Sequence, residues 1–220
     1  SMTMPSSVGW SAVCYGNDKF VAVAKGTTTA AYSSNGTSWS TSSMPSSLYW
    51  NYISYGGGKF IATAGQWDQS STNTIAYSSN GTSWSSATLP SSAKWYTSCY
   101  GNGKYVALNY ASTGTAYSTN GTSWSASSLS SSMEPYGFCY GNGKFVAIGY
   151  NSSKCIYSSD GVNWSSSSMP SSTNWRSMCY DGSKFGDGVT IAKDIVINGN
   201  GHSISGEGNH KIFTISKGNA

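Results

Sequence analysis

The chain has 220 residues, 12 Lys and Arg against 8 Asp and Glu, a formal net charge of +4, and only 9% charged residues in all. Its single arginine, Arg176, leaves no basic cluster of the kind that tracks a phosphate backbone, so nucleic acid is not expected as a partner. No apolar run approaches the ~20 residues a spanning helix needs, so membrane insertion is not expected either. Ser1-Met2 reads as a cloning remnant, which leaves room for a native export signal upstream.

Taken in chain order, the sequence repeats. Met4-Pro5-Ser6-Ser7 matches Met44-Pro45-Ser46-Ser47, so the chain begins on the closing residues of a unit. The motif around Tyr15 recurs at Tyr55, Tyr100, Tyr140 and Tyr180, at spacings of 40, 45, 40 and 40 residues. The long spacing comes from an insertion between Gln66 and Asn73, in the loop between a unit's second and third strands. A period near 40 with several short, Ser- and Gly-rich strands per unit predicts an all-β fold, a β-propeller of repeated four-stranded blades.

Each unit opens on an aromatic (Trp10, Trp50, Trp95, Trp175, with Pro135-Tyr136 in the fourth) and runs into a first hairpin. In the first unit that hairpin is Trp10 to Tyr15, a Gly16-Asn17-Asp18 turn, then Lys19 to Val23; glycine and asparagine supply the positive φ of a tight turn. A second hairpin is predicted to turn on Asn35-Gly36, Asn80-Gly81, Asn120-Gly121 and Asp160-Gly161, the strongest short hairpin signal. A tyrosine precedes each turn and a tryptophan follows it (Trp39, Trp84, Trp124, Trp164), a recurrence that predicts packing between blades.

The first hairpin occurs five times and the second four, so the expectation is five blades with an atypical last one. The propeller repeats occupy residues 1–185, with units starting near 10, 50, 95, 135 and 175. Residues 186–220 form a divergent β tail expected to complete the fifth blade, since an open ring leaves exposed strand edges. If the tail closes the ring the chain is expected to be a monomer, and otherwise an oligomer. The competing reading makes the tail the start of a separate parallel β-helix.

The segments Tyr32-Ser-Ser-Asn-Gly-Thr-Ser-Trp39 and Tyr157-Ser-Ser-Asp-Gly-Val-Asn-Trp164 resemble the Asp-box hairpins of sialidase-like and related propellers. The repeat wording is also similar to propellers of bacterial surface and phage tail proteins, which implies an extracellular, cell-surface or virion location. The tail, through Ile195 to Gly206, resembles a right-handed β-helix coil.

Catalytic groups are sparse. A sialidase-like site needs an arginine cluster, and there is one arginine. Both histidines, His202 and His210, fall in the tail and match no metal-ligand spacing, so neither a metal nor a cofactor is expected. A two-carboxylate glycosidase would have to draw on acids scattered over different units, among them Asp68, Glu134, Asp160, Asp181 and Glu207. The chain is therefore read as no enzyme.

Four of five cysteines (Cys14, Cys99, Cys139, Cys179) share one repeat position, held by Ser54 in the second unit, which reads as a small buried site rather than a disulfide framework. The sequons at Asn35, Asn80 and Asn120 read as turn residues. Two features are candidate binding devices. Trp10, Trp50, Trp95, Tyr136 and Trp175 are candidate ligand-binding platforms for a sugar ring, or else wedges between blades. Lys19, Lys59, Lys104, Lys144 and Lys184 place one charge per repeat and are candidates for anion binding, or else solubilising turn residues. The expected function is a non-catalytic module that binds carbohydrate or a cell surface through repeated weak sites. Glycans or another surface protein are the expected partners, and a structural or protein-interaction propeller is the alternative.

Overall fold

The computed structural model describes residues 4–65, 71–180 and 185–186. The expectations for the tail, the two histidines, Lys184, Asp68, Asp181 and most of the insertion lie outside the described residues.

Those residues form sixteen strands: β1 (Trp10–Gly16), β2 (Lys19–Ser33), β3 (Ser40–Gly56), β4 (Lys59–Ala64), β5 (Thr72–Ser78), β6 (Ser85–Ala93), β7 (Trp95–Gly101), β8 (Lys104–Asn109), β9 (Ser112–Ser118), β10 (Ser125–Met133), β11 (Pro135–Gly141), β12 (Lys144–Gly149), β13 (Ser152–Ser158), β14 (Ser165–Thr173), β15 (Cys179–Tyr180) and β16 (Phe185–Gly186). Strands β7 to β10 and β11 to β14 make two four-stranded antiparallel sheets in chain order, as expected of one unit each. The first two units instead share one six-stranded sheet, because β3 runs unbroken from the end of one unit into the first strand of the next. Strand β2 likewise continues through Gly26, at φ +67°, where later units break into two strands.

The first-hairpin turns form as read. Asn17 and Asp18, Gly57 and Gly58, Asn102 and Gly103, and Asn142 and Gly143 all have φ between +45° and +78°, the two-positive-φ turn that matches strand twist. The Asn-Gly segments behave differently. Only the glycine is at positive φ (+72° to +75°), and a six-residue loop separates Ser33 from Ser40, so these are not two-residue hairpins. Side chains fold the loop from within: Ser33 Oγ accepts from Gly36 N at 2.9 Å, and Asn35 Oδ1 accepts from Thr37 N and Ser38 N at 2.9 and 2.8 Å. The same bonds recur at Ser78, Ser118 and Ser158, because Asn and Asp side chains mimic a turn's backbone acceptor.

Packing runs along the seams between units, where the first strands of successive units lie side by side. The apolar residues of second strands, among them Val21, Val23, Phe60, Ile61, Val106 and Phe145, are wholly or almost wholly buried. Each such side chain contributes about 2 kcal/mol by leaving water. The tryptophans after the second loop stack within their own unit on its phenylalanine, Trp39 on Phe20 and Trp84 on Phe60. They also join clusters that span two units, as Trp164 does with Val106 and Leu129 of the preceding one.

Two glycine seats fix the seam spacing. The Tyr55 ring lies where a Cβ on Gly16 would be; Tyr100 does the same on Gly56, Tyr140 on Gly101 and Tyr180 on Gly141. Higher on the seam, a Cβ on Gly81 would fall 2.6 Å from Val21, and one on Gly161 2.7 Å from Val106. Outer strands carry the hydroxyls: β14 has no buried residue, which suits a solvent-facing edge.

Candidate functional site

Of the tryptophans expected to offer a flat face, Trp50 and Trp95 do not, while Trp10 and Trp175 are half-buried. Trp50 is 0% and Trp95 1% exposed, and each indole N–H donates inward to a serine carbonyl four residues back, Ser46 at 3.0 Å and Ser91 at 3.2 Å. Trp10 and Trp175 make the same bond to Ser6 and Ser171. They are wedges whose polar atom is already used. In the fourth unit the register differs by one residue from the sequence expectation: Pro135 pairs with Gly149 as Trp95 pairs with Asn109, so Pro135 holds the tryptophan's place and Tyr136 the next one.

That next position differs between units. It is Ser11, Asn51, Tyr96, Tyr136 and Arg176 in turn. In the first four units it falls in the register shift near the start of the first strand, at one end of the inner strands, and Tyr110 and Tyr150 directly follow β8 and β12 at the same end. Tyr96 lies 5.1 Å from Tyr136 and 5.4 Å from Tyr110 between ring centroids, and Tyr136 lies 4.7 Å from Tyr150. The Arg176 guanidinium sits over this row, 5.0 Å from the Tyr150 centroid and 6.0 Å from that of Tyr136, with its nearest hydroxyl, Tyr150, at 3.5 Å.

A cavity of about 220 Å³ opens beside the row, lined by Asn51, Tyr52, Tyr96, Tyr136, Arg176 and Met178 among others. Asn51 Nδ2 donates to the Tyr96 carbonyl at 2.6 Å, while its Oδ1 is buried without a partner among the described residues. Burial, and then the bond to Tyr136, pushes the Tyr96 phenol up. Tyr110 is raised to about 12, by burial first and then by donating to the Glu134 carboxylate. These phenols are therefore neutral donors rather than bases.

Deeper in, the Tyr52 phenol is raised to about 12 by burial and by the thiols of Cys99, Cys14 and Cys139, which come from three other units. Burial lifts those three thiols to about 12 as well, so none is a nucleophile at neutral pH. Asp160 is held well below the usual carboxylate range by backbone N–H bonds from Asn163 and Val162. Among the described residues no cluster of His, Cys, Asp and Glu is placed to hold a metal ion.

The repeated lysines lie on the opposite end of the strands. Lys104 Nζ donates to the Asp160 carbonyl of the following unit at 3.0 Å, and Lys144 lies 5.9 Å from the Tyr157 ring centre. Two of the five candidates thus work within or between units. Sequence reasoning missed Tyr96, Tyr110, Tyr150 and Arg176 as a group. The available signal was the recurrence of tyrosine in two adjacent units, at Tyr96 and Tyr136 and again at Tyr110 and Tyr150.

No protein-family model matches the chain, and no curated protein matches it. Solved structures do, at identities that show the fold alone. Virginiamycin B lyase from Staphylococcus aureus is similar over 79% of this chain and 61% of its own length, with 10% identity and a TM-score of 0.69. A streptogramin B lyase is similar over 80% and 60%, with 13% identity and a TM-score of 0.68. YCF48 bound to a D1 peptide is similar over 80% and 58%, with 14% identity and a TM-score of 0.58. The chain spans about 60% of the length of these structures.

The carbohydrate-binding expectation is overturned by these findings. The neighbours are antibiotic lyases and a peptide-bound protein, and two of the tryptophans meant to carry sugar stacking, Trp50 and Trp95, are buried. An all-β fold of antiparallel sheets with β-propeller-like neighbours is what the chain has.

Proposed function

We propose that this chain is a non-catalytic protein-interaction module that holds a peptide segment of a partner at its tyrosine- and arginine-lined end. The observation that carries the reading is the row Tyr96, Tyr110, Tyr136 and Tyr150 under Arg176, beside a cavity. Tyr and Arg are among the side chains that concentrate binding energy at protein interfaces, because they combine a large contact area with polar donors. A fold neighbour solved with a peptide bound gives the reading a precedent in this architecture.

The non-catalytic part rests on chemistry. The described thiols named above stay protonated, the depressed Asp160 carboxylate is consumed by its own loop, and no described residue is a histidine. On repeat number, we read β15 and β16 as the first hairpin of a fifth blade, since Tyr180 takes its seat on Gly141 as each earlier tyrosine does.

The test is selection of peptides from a random display library against the full chain. Tyr136→Ala and Arg176→Ala should each weaken the selected peptides at least tenfold by calorimetry, while Lys19→Ala, at the opposite end, should leave them unchanged. Peptides that bind all three variants equally, or a library that yields no binder, would refute the reading.

A further inference from the structure

We infer that the ligand of this end presents a carboxylate to Arg176 and an N–H to Asn51. This rests on the peptide-binding reading above and names the chemistry that its site selects. Arg176 is the only arginine of the chain, and among the described residues its guanidinium meets no carboxylate. The carboxylate at the same end, Glu134, is engaged by the Tyr110 hydroxyl. What holds Arg176 is a pair of aromatic faces, Tyr136 and Tyr150, with one long contact to a hydroxyl.

Beside these rings the guanidinium engages the Tyr150 hydroxyl through one Nη at 3.5 Å, and the rest of its planar N–H edge meets no carboxylate among the described residues and is left for a ligand. That edge matches the two oxygens of a carboxylate, with two parallel N–H···O bonds. A single arginine with no other cation lining the cavity suits a monoanion better than a phosphate dianion.

The second contact comes from Asn51. Its Nδ2 is committed to the Tyr96 carbonyl, which fixes the amide, and its Oδ1 is left as a buried acceptor beside the same cavity. A buried acceptor without a donor is unfavourable, so a ligand N–H placed there recovers what the free protein forgoes. A peptide supplies both groups: a carboxylate from an Asp or Glu side chain or from its C-terminus, and an N–H from its backbone.

The experiment uses peptides selected against the full chain as above, each remade in three forms: Asp and Glu changed to Asn and Gln, the C-terminus amidated, and both together. Either the first or the second change should weaken binding at least tenfold, and which one does so identifies the source of the carboxylate. The sensitive form should bind Arg176→Gln as weakly as its neutral counterpart does, and added salt should weaken the acid form only. Asn51→Asp should weaken binding further by placing a negative charge by the carboxylate. Peptides whose neutral forms bind as tightly as the acids, still dependent on Tyr136, would overturn the carboxylate inference and leave peptide binding standing. Absence of any selected peptide would remove both.

Discussion

The two ends of each inner strand obey different rules. At one end the sequence is Tyr-Gly in four units, and on each of the four glycines the structure seats the tyrosine ring of the next unit. At the other, the residue after the opening aromatic or proline changes from Ser11 to Asn51, Tyr96, Tyr136 and Arg176, and there the side chains cluster around a cavity. The constant end sets the distance between units, which no unit can change alone without opening the seam. The residue after the opening aromatic carries no such repeated seat. The seam constraint thus sits at one end, and the proposed recognition at the other.

The largest effect should come from violating the constant end. Gly101→Ala puts a Cβ into the Tyr140 ring, and the ring cannot retreat without parting the third and fourth units. The expected loss is about 3 kcal/mol or more, beyond the usual range for overpacking because the clash is with a seated aromatic. Gly103→Ala, two residues on, meets nothing within 4 Å and suffers only from its φ of +72°, about 1 kcal/mol. Chemical denaturation of the two variants separates seat from turn; equal losses would mean that the tyrosine seat does not set the seam. Tyr136→Ala at the variable end should cost about 1 kcal/mol in the same measurement, the worth of its aromatic pairs.

The constant end was legible in the sequence and the variable end was not, for a physical reason. A seam repeated in every unit imposes one residue type at one position, so Tyr55, Tyr100 and Gly101 announce themselves by recurrence. Trp95 recurs for the same reason and was therefore open to two readings, platform or wedge; only burial decides between them, and burial is a property of the neighbouring unit. Arg176 leaves no recurring trace, and Tyr96 recurs only at Tyr136. The Asn-Gly segments misled because Asn followed by Gly suits both a two-residue turn and a loop folded by Asn Oδ1, and Ser33 two residues earlier is what selects the loop. The share of one sheet by the first two units depends on β3 continuing through Tyr49 into Trp50, where the strand breaks at Lys94 and Glu134 in the next two units, and no local pattern encodes this.

Midway along the strands, the thiols give a smaller and pH-dependent effect. Cys14, Cys99 and Cys139 are raised to about 12 by burial, against an ordinary value near 8.5 in an unfolded chain. A group whose pKa is raised by folding contributes stability that is complete below its unfolded value and lost as pH rises through the folded one. Unfolding free energy should therefore decline between about pH 8.5 and pH 12. The triple Cys→Ser variant, which gives each position the hydroxyl that Ser54 already supplies in the second unit, should flatten that decline. An unchanged alkaline slope in the triple variant would show that the thiols do not face a low-dielectric interior.

The smallest effect separates the four second loops, which are built alike but titrate differently. Three use Asn35, Asn80 and Asn120 as the acceptor, and the fourth uses Asp160, which accepts from Val162 N and Asn163 N at 2.8 Å and from Asn163 Nδ2 at 2.7 Å. These bonds depress the carboxyl, so its contribution is present above the ordinary carboxylate value, near 4, and lost as pH falls below it. The carboxylate is exposed and solvent screens it, which keeps the effect small. Asp160→Asn keeps the Oδ1 acceptor while removing the charge, so the fourth loop should become as insensitive to acid as the other three. Hydrogen exchange of the Val162 and Asn163 amides at pH 3 and pH 6 reads this locally: faster exchange at the lower pH than the intrinsic rate predicts in the parent, and no such excess in the variant. The same excess in both would place the acid sensitivity elsewhere in the seam that Gly161 and Val106 form.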